Sequence, residues 1–256
     1  MKALAGFVAW LRCPGWRVLA GMLLSAVAVA PAWAAIALVG ATQNATGGGG
    51  APALSLSYPA GVLENDVLIA QVVVRDNAAI TAPAGWVLIN RTNNGTTLTQ
   101  AVYWKRAGAS SPAAEDWTFA SARAAGALVA YRNVDPVAPV NGYSVRTNAS
   151  STSVTADSLS PTVAGVQLVG LYALANGNAT FTPPAGMAEQ ADTNTGAGPN
   201  GIAVELADEA YAGGLAATGT RLATASTAAV SIAHLLALQP NVIASYRMDE
   251  SVWTGA

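Results

Sequence analysis

Cysteine is almost missing from this 256-residue chain, and Cys13 is the one example. It falls within the first 34 residues, which read as a removable leader, so the mature chain offers neither a disulfide framework nor a thiolate metal site. Histidine is equally scarce. His234 stands alone, which excludes zinc centres built on two or three histidines and leaves one residue to act as base in any Ser-His-Asp triad. No G-x-S-x-G elbow is present to supply the nucleophile. Charged residues make up 10% of the chain, and no D-x-D-x-D run gathers them for calcium, Glu64 with Asp66 being the nearest approach. After the leader, no uninterrupted apolar run approaches the roughly 20 residues of a membrane span.

The leader itself has three parts. Lys2, Arg12 and Arg17 precede an uncharged stretch of 13 residues, Val18 to Ala30, which ends in Ala32-Trp33-Ala34. A basic region, an apolar core and a small-x-small site are the parts of a secretory signal, and the apolar core is too short for an anchor. Residues 1–34 are therefore expected to be removed on export to the extracellular space or cell surface. Removing them leaves 9 basic against 14 acidic residues, a net charge of about −5. That balance speaks against a nucleic-acid partner, which needs clustered Lys and Arg. The mean hydropathy of +0.38 comes from Ala and Val spread along the chain. With no disulfide, an exported domain of this size must be held by burial alone.

The mature chain reads as all-β. Segments rich in Val, Ile, Leu, Tyr and Trp, bounded by Gly, Pro, Asn, Ser and Thr, predict strands at 66–75, 86–91, 98–106, 127–134, 166–174, 202–206 and 230–238. Turn residues interrupt nearly every ten-residue window, so no amphipathic helix is expected. Short strands at this spacing predict a β-sandwich or jelly roll.

The chain also resembles itself. Pro83-Ala84-Gly85-Trp86 recurs as Pro184-Ala185-Gly186-Met187, and the flanks DVLIAQVVVRDNAAITAP and GVQLVGLYALANGNATFTPP keep the same register. This predicts two pseudo-repeats, about 36–138 and 139–240, within one sandwich at 35–240. Asp135-Pro136-Val137-Ala138-Pro139 reads as a tight connection between them, which favours a single roll over two separate sandwiches. Residues 241–256 fall outside both copies and read as the first strand of a further, truncated domain.

Two resemblances rest on particular residues. Gly61 to Ala70, Ala82 to Trp86, Val102 to Lys105 and Ala130 to Pro136 together resemble an uncharacterised β-rich unit of bacterial surface proteins and some phage appendages. The tail Ala244 to Gly255 resembles the opening of a laminin-G-like, concanavalin-type domain of the kind found in surface proteins similar to MshQ, which belongs to agglutinin (MSHA) pilus biogenesis. These likenesses imply an adhesin-like or pilus-associated protein without catalytic residues or cofactors. Its partner would be a surface ligand, carbohydrate or pilus components. The rival reading is an accessory, carbohydrate-binding region of a secreted carbohydrate-active enzyme.

Individual side chains bear on that reading. His234 alternates with Val230, Ile232, Leu236 and Leu238 and shares their strand face, as a structural or edge residue does. The pairs Glu115-Asp116, Asp208-Glu209 and Asp249-Glu250 are expected to be solvated loop charges, and Gly47 to Gly50 a flexible loop. Among the aromatics, Trp86 aligns with Met187 and Trp104 with Leu206, so both are expected to be buried. Tyr103 aligns with Glu205 and is expected to face solvent, which makes it the candidate ligand contact. Asn44, Asn90, Asn94, Asn148 and Asn178 begin N-x-S/T sequons and are expected to be polar turn residues. No catalytic, metal or cofactor residue is assigned. Intact mass and N-terminal sequencing of the protein exported by a bacterial host are expected to show Ala35 as the first residue and no thiol, and retention of Met1 would overturn the leader.

Overall fold

The structure, a computed structural model, describes residues 34–241. Apart from their boundary residues, the leader and the tail at 241–256 lie outside that range, and so does Asp249-Glu250. Thirteen strands follow one another: β1 (Ala37–Ala45), β2 (Ala51–Ser57), β3 (Val67–Arg75), β4 (Val87–Asn94), β5 (Leu98–Arg106), β6 (Ala114–Ala122), β7 (Ala124–Arg132), β8 (Val140–Ala156), β9 (Gln167–Leu174), β10 (Phe181–Thr182), β11 (Ala188–Asn194), β12 (Ala203–Ala210) and β13 (Arg221–Leu238). Among the described residues the only helical element is a 3-10 turn at Gly198–Asn200, and no helix is long and apolar enough to cross a membrane.

Two antiparallel sheets form the centre. The first has the order β1-β7-β3-β5-β4, and the second β10-β13-β9-β12-β11 with β8 beside β13. The central strands β3, VLIAQVVVR, and β9, QLVGLYAL, are apolar along almost their whole length because both of their faces are covered. Val67 and Ile69 of β3 meet Val169 and Leu171 of β9 in a core shared by the two sheets. The alternate residues point the other way. Leu68, Ala70, Val72 and Val74 pack under Leu54, Leu56, Trp117 and Phe119 of the β2-β6 ribbon, while Leu168, Tyr172 and Leu174 pack under Val154, Ala156, Ala223 and Phe181. The molecule is thus a layered sandwich whose middle strands are buried on both faces, which is why they carry no polar alternation.

The outer layer over the second sheet is made differently from that over the first. β8 and β13 are long, bulged strands that pair with each other twice, Val140 to Asn148 along Leu238 to Ser231 and Ser153 to Ala156 along Thr224 to Arg221. Their register slips between Thr224 and Ser231. One bent ribbon can therefore belong to the central sheet at one end and to the outer layer at the other, as bulges allow.

Turn chemistry anchors corresponding places in both sheets. At Pro83-Ala84-Gly85-Trp86 the Trp86 amide donates to the Pro83 carbonyl at 3.5 Å, and at Pro184-Ala185-Gly186-Met187 the Met187 amide donates to Pro184 at 3.0 Å. Gly85 has φ of 85° and Gly186 φ of 89°, the left-handed third position that a type II turn reserves for glycine. Each turn leads into an edge strand, β4 or β11, and delivers a large side chain, Trp86 or Met187, into a core.

His234 is interior to its sheet, because β13 lies between β8 and β9, which is the structural half of the structural-or-edge expectation. Two other sequence expectations are corrected here. The acidic pairs are not loop charges: Glu115 lies on β6 and Asp208-Glu209 on β12, and their alternation sends Glu115 inward while Asp116 is exposed. Of the sequon asparagines, Asn44, Asn90, Asn94 and Asn148 lie on strands and hold the fold by side-chain hydrogen bonds, for instance Asn94 Nδ2 to the Asn148 and Ser231 carbonyls at 2.9 Å. The shared core predicts that Leu171→Ala, at a fully buried site, lowers stability by about 2–5 kcal/mol and keeps a single cooperative unfolding transition. Two separated transitions in calorimetry would show that the two sheets do not form one unit.

Candidate functional site

Three groups of polar side chains occupy this apolar scaffold, and each has a different electrostatic status. The first surrounds Glu115. Its carboxylate accepts from Lys105 Nζ at 2.7 Å, Trp86 Nε1 at 2.5 Å and the Tyr58 hydroxyl at 2.8 Å. Burial pushes Glu115 up, but the hydrogen bonds from Lys105, Trp86 and Tyr58 more than offset it and hold the carboxyl below its ordinary value. Trp86 stacks edge-on to Trp117 with ring centroids 5.0 Å apart. Three donors fill three of the roughly four lone-pair sites of this carboxylate, so its accepting capacity is spent mainly on the fold. On the other side of the molecule Glu209 is similarly held by Arg221.

The second group lies in the seam between the sheets. Asp208 accepts from the Tyr131 hydroxyl at 2.8 Å, Gln167 Nε2 at 3.1 Å and Gln190 Nε2 at 2.9 Å. Burial, with the adjacent Asp208 carboxylate, holds the Tyr131 hydroxyl protonated well above its usual range. Nearby, His234 is fully buried, and its Nε2 lies 3.0 Å from Asn90 Oδ1, which also accepts from Thr92 Oγ1 at 2.6 Å. Because Oδ1 is an acceptor, Nε2 carries the proton and Nδ1 is left bare, without a partner. Burial pushes the imidazole down to about 3. Among the described residues no serine, threonine or carboxylate hydrogen-bonds the ring, so they assemble no triad around this histidine.

The third group is a set of three carboxylates, Glu189, Asp192 and Glu205, whose nearest oxygens all lie within 4.8 Å of one another. Asp192 on β11 and Glu205 on β12 are direct cross-strand partners. Glu189 would ordinarily point to the opposite face from Asp192, three residues on. A bulge between Glu189 and Ala191 removes that mismatch and brings both to the face of Glu205. Phe181 N donates to Asp192 Oδ2 at 2.9 Å. Asp192 Oδ1 and both oxygens of Glu205 are buried and accept nothing. Burial, and then Glu189 and Asp192, push the Glu205 carboxyl up to about 8.

Sequence reasoning did not find this cluster, since a Glu-x-x-Asp spacing brings two carboxylates together on a strand only when a bulge intervenes. The nearest approach to a calcium run, Glu64 with Asp66, is otherwise engaged: Asp66 pairs with Arg132 at 2.8 Å and accepts from the Leu63 amide at 2.8 Å.

The candidate contact Tyr103 is corrected. It is 4% exposed and packs against Trp117 with centroids 6.4 Å apart, so its ring face is unavailable to a ligand. Its alignment with Glu205 suggested solvent because glutamate is usually exposed, but Glu205 is itself buried. Trp86 is buried, Trp104 is half-buried, and Tyr143 on β8, 44% exposed, is the one aromatic in the exposed class among the described residues. A cleft of about 510 Å³ lies between Ile36, Val166, Gln167, Tyr211 and Pro240, and it is mainly apolar.

Comparison with family models, with curated proteins and with solved structures finds no match to this chain.

The buried imidazole predicts a pH dependence. The folded state keeps His234 neutral down to about 3, whereas the unfolded chain takes up a proton near 6.5, so stability is full above pH 6.5 and falls as pH drops toward 3. Between pH 6.5 and 5 the loss from this residue is about 2 kcal/mol. His234→Gln, which can still donate to Asn90, is expected to flatten that part of the profile by one proton in denaturant titrations, and an unchanged slope would refute the assignment.

Proposed function

We propose that this chain is a non-catalytic β-sandwich module of a secreted or surface-attached protein, adhesin-like or pilus-associated, serving adhesion, ligand binding or spacing. The observation that carries the reading is how the reactive side chains outside the Glu189, Asp192 and Glu205 cluster are spent. The single histidine is sealed in the seam between the sheets, Glu115 and Asp208 each accept three hydrogen bonds from side-chain donors, and Asp66 and Glu209 are bound by arginines. An acid or base in catalysis must be reachable by substrate and free to exchange its proton, and these groups are neither.

We read the fold as a duplicated β unit, about 36–138 and 139–240. Support comes from the two Pro-Ala-Gly turns of like geometry, from the buried Trp86 and Met187 that follow them, and from strand order. β1-β7-β3-β5-β4 in one sheet runs parallel in plan to β8-β13-β9-β12-β11 in the other. An ion pair beside each turn, Lys105 with Glu115 and Arg221 with Glu209, adds to the correspondence. Such an architecture suits a spacer, because every strand is tied into antiparallel ladders and a shared core without the aid of disulfides. The resemblance of the tail to a laminin-G-like domain, and through it to MshQ-like surface proteins, gives the surface setting.

The full chain is expected to show no turnover of chromogenic glycosides, esters or peptides, and cells that display it are expected to attach better to glycan-coated or pilus-coated surfaces than cells displaying an unrelated sandwich. Hydrolysis that persists through purification and disappears with a carboxylate substitution would sink the reading in favour of an enzyme. Glycan binding lost in Tyr143→Ala would instead favour the carbohydrate-binding alternative.

A further inference from the structure

We propose that Glu189, Asp192 and Glu205 form a calcium-binding site at the β11-β12 edge of the second sheet. Proximity of three carboxylates is only the first observation. The second is that Glu205, with no exposed surface at all, brings a carboxylate oxygen into this cluster while neither of its oxygens receives a hydrogen bond, and Asp192 Oδ1 is equally sealed and equally unpartnered. An ionised carboxylate buried without donors is among the costliest arrangements in a fold. The other buried or half-buried acidic side chains of this sandwich are treated differently. Asp66 has Arg132, Glu115 has Lys105, Glu209 has Arg221, and Asp208 has three donors. The described ion pairs include none to Glu189, Asp192 or Glu205.

The arrangement has the chemistry of a hard-cation site. All its donors are carboxylate oxygens, with no imidazole or thiolate, which selects calcium or magnesium over zinc and copper. Calcium fits better because the donors come from two strands and a bulge. Such a set supplies an irregular cage of variable size, which calcium tolerates, whereas magnesium demands a near-ideal octahedron. Glu189 is exposed and Asp192 half-buried, so the site has an entrance on one side and room for water ligands. The Phe181 amide fixes Asp192 through its Oδ2 and leaves Oδ1 without a partner. The bulge at Gln190 is needed for both purposes: its side chain serves Asp208 in the seam, and its extra residue turns Glu189 to the opposite face, beside Glu205. Like charges set directly across a strand pair, as Asp192 and Glu205 are, destabilise the pair, and a divalent ion converts that repulsion into a bond between edge strand and sheet. Burial and the two neighbouring carboxylates push Glu205 up to about 8, so a shared proton is the competing occupant.

The experiment separates the two. The full chain is dialysed against EDTA, then its thermal unfolding and its heat of titration are followed with calcium chloride and with magnesium chloride. Calcium is expected to raise the unfolding midpoint by several degrees and to saturate with a dissociation constant of about 0.1–1 mM, the range of extracellular calcium modules, while magnesium has a much smaller effect. Glu189→Gln, which removes a like charge beside Glu205, is expected to melt no lower than the parent in EDTA and to weaken calcium binding about tenfold. Glu205→Gln is expected to melt no lower than the parent in EDTA and to lose the calcium response. Absence of any calcium shift or heat up to about 10 mM would overturn the site in favour of the shared proton. An equal response to magnesium would overturn the calcium assignment, and a calcium response that survives both substitutions would place the ion elsewhere.

Discussion

The contact between the five-stranded and the six-stranded sheet is the constraint on which the rest of the structure depends. With a single cysteine in the sequence no disulfide can form within the chain, so stability must come from apolar area removed from water, and one sandwich layer of Ala-rich strands would remove too little. Packing the sheets against each other buries the second face of β3, β5, β7, β9, β12 and β13. That contact is not purely apolar. Gln71 Nε2 donates to the Tyr172 carbonyl at 2.9 Å and Gln100 Nε2 to the Leu171 carbonyl at 3.2 Å, each crossing from the first sheet to the second. Two oily faces can slide over one another, whereas amides that must find particular carbonyls fix one register, because any slip strands a buried donor.

The same constraint explains which strands were legible in the sequence. β3, β5, β7, β9 and β12 are covered on two sides and so are written in Val, Leu, Ile and aromatic residues, and each corresponds to a predicted segment. β1, β2, β6, β8 and β11 escaped notice because only alternate residues need be apolar and even those are small or few. In β8 the buried positions are Asn148, Val154 and Ala156, set among Ser and Thr. Alanine and threonine in a half-buried outer strand look, from sequence alone, like the loops that flank it. β13 was recognised only over its second half, since its first half, RLATASTAA, belongs to the outer layer.

The side chains tell a parallel story about inference from internal likeness. Replacement of Trp86 by Met187 implies an apolar environment, and both are in fact in cores. Replacement of Tyr103 by Glu205 was read with the opposite logic, that a place tolerating glutamate must be wet. Both residues are buried, and each sits on the face of its sheet turned toward its own outer layer. The rule that charged residues stay outside holds only while the charge lacks a partner. The polar character of Glu205 was therefore information about a site, and it became readable only once the bulge at Gln190 was known, since no periodicity places residues 189, 192 and 205 together.

Charge placement follows from this economy of burial. A protein with few charged residues could have left them all at the surface, where exposed pairs contribute little, yet here Asp66, Glu115, Asp208 and Glu209 are drawn inward. Each joins pieces of chain far apart in sequence: Asp66 to Arg132, Glu115 to Tyr58 and Trp86, Asp208 to Tyr131 across the seam. Hydrogen bonds to an ionised acceptor are about twice as strong as neutral ones, and removing either partner leaves a buried charge. In a chain whose one cysteine, Cys13, has no second cysteine to pair with, these carboxylates take over the part that disulfides play elsewhere, fixing which strand lies over which. They differ from disulfides in constraining only the folded state, so their contribution responds to protons and ions in a way that a covalent bond does not.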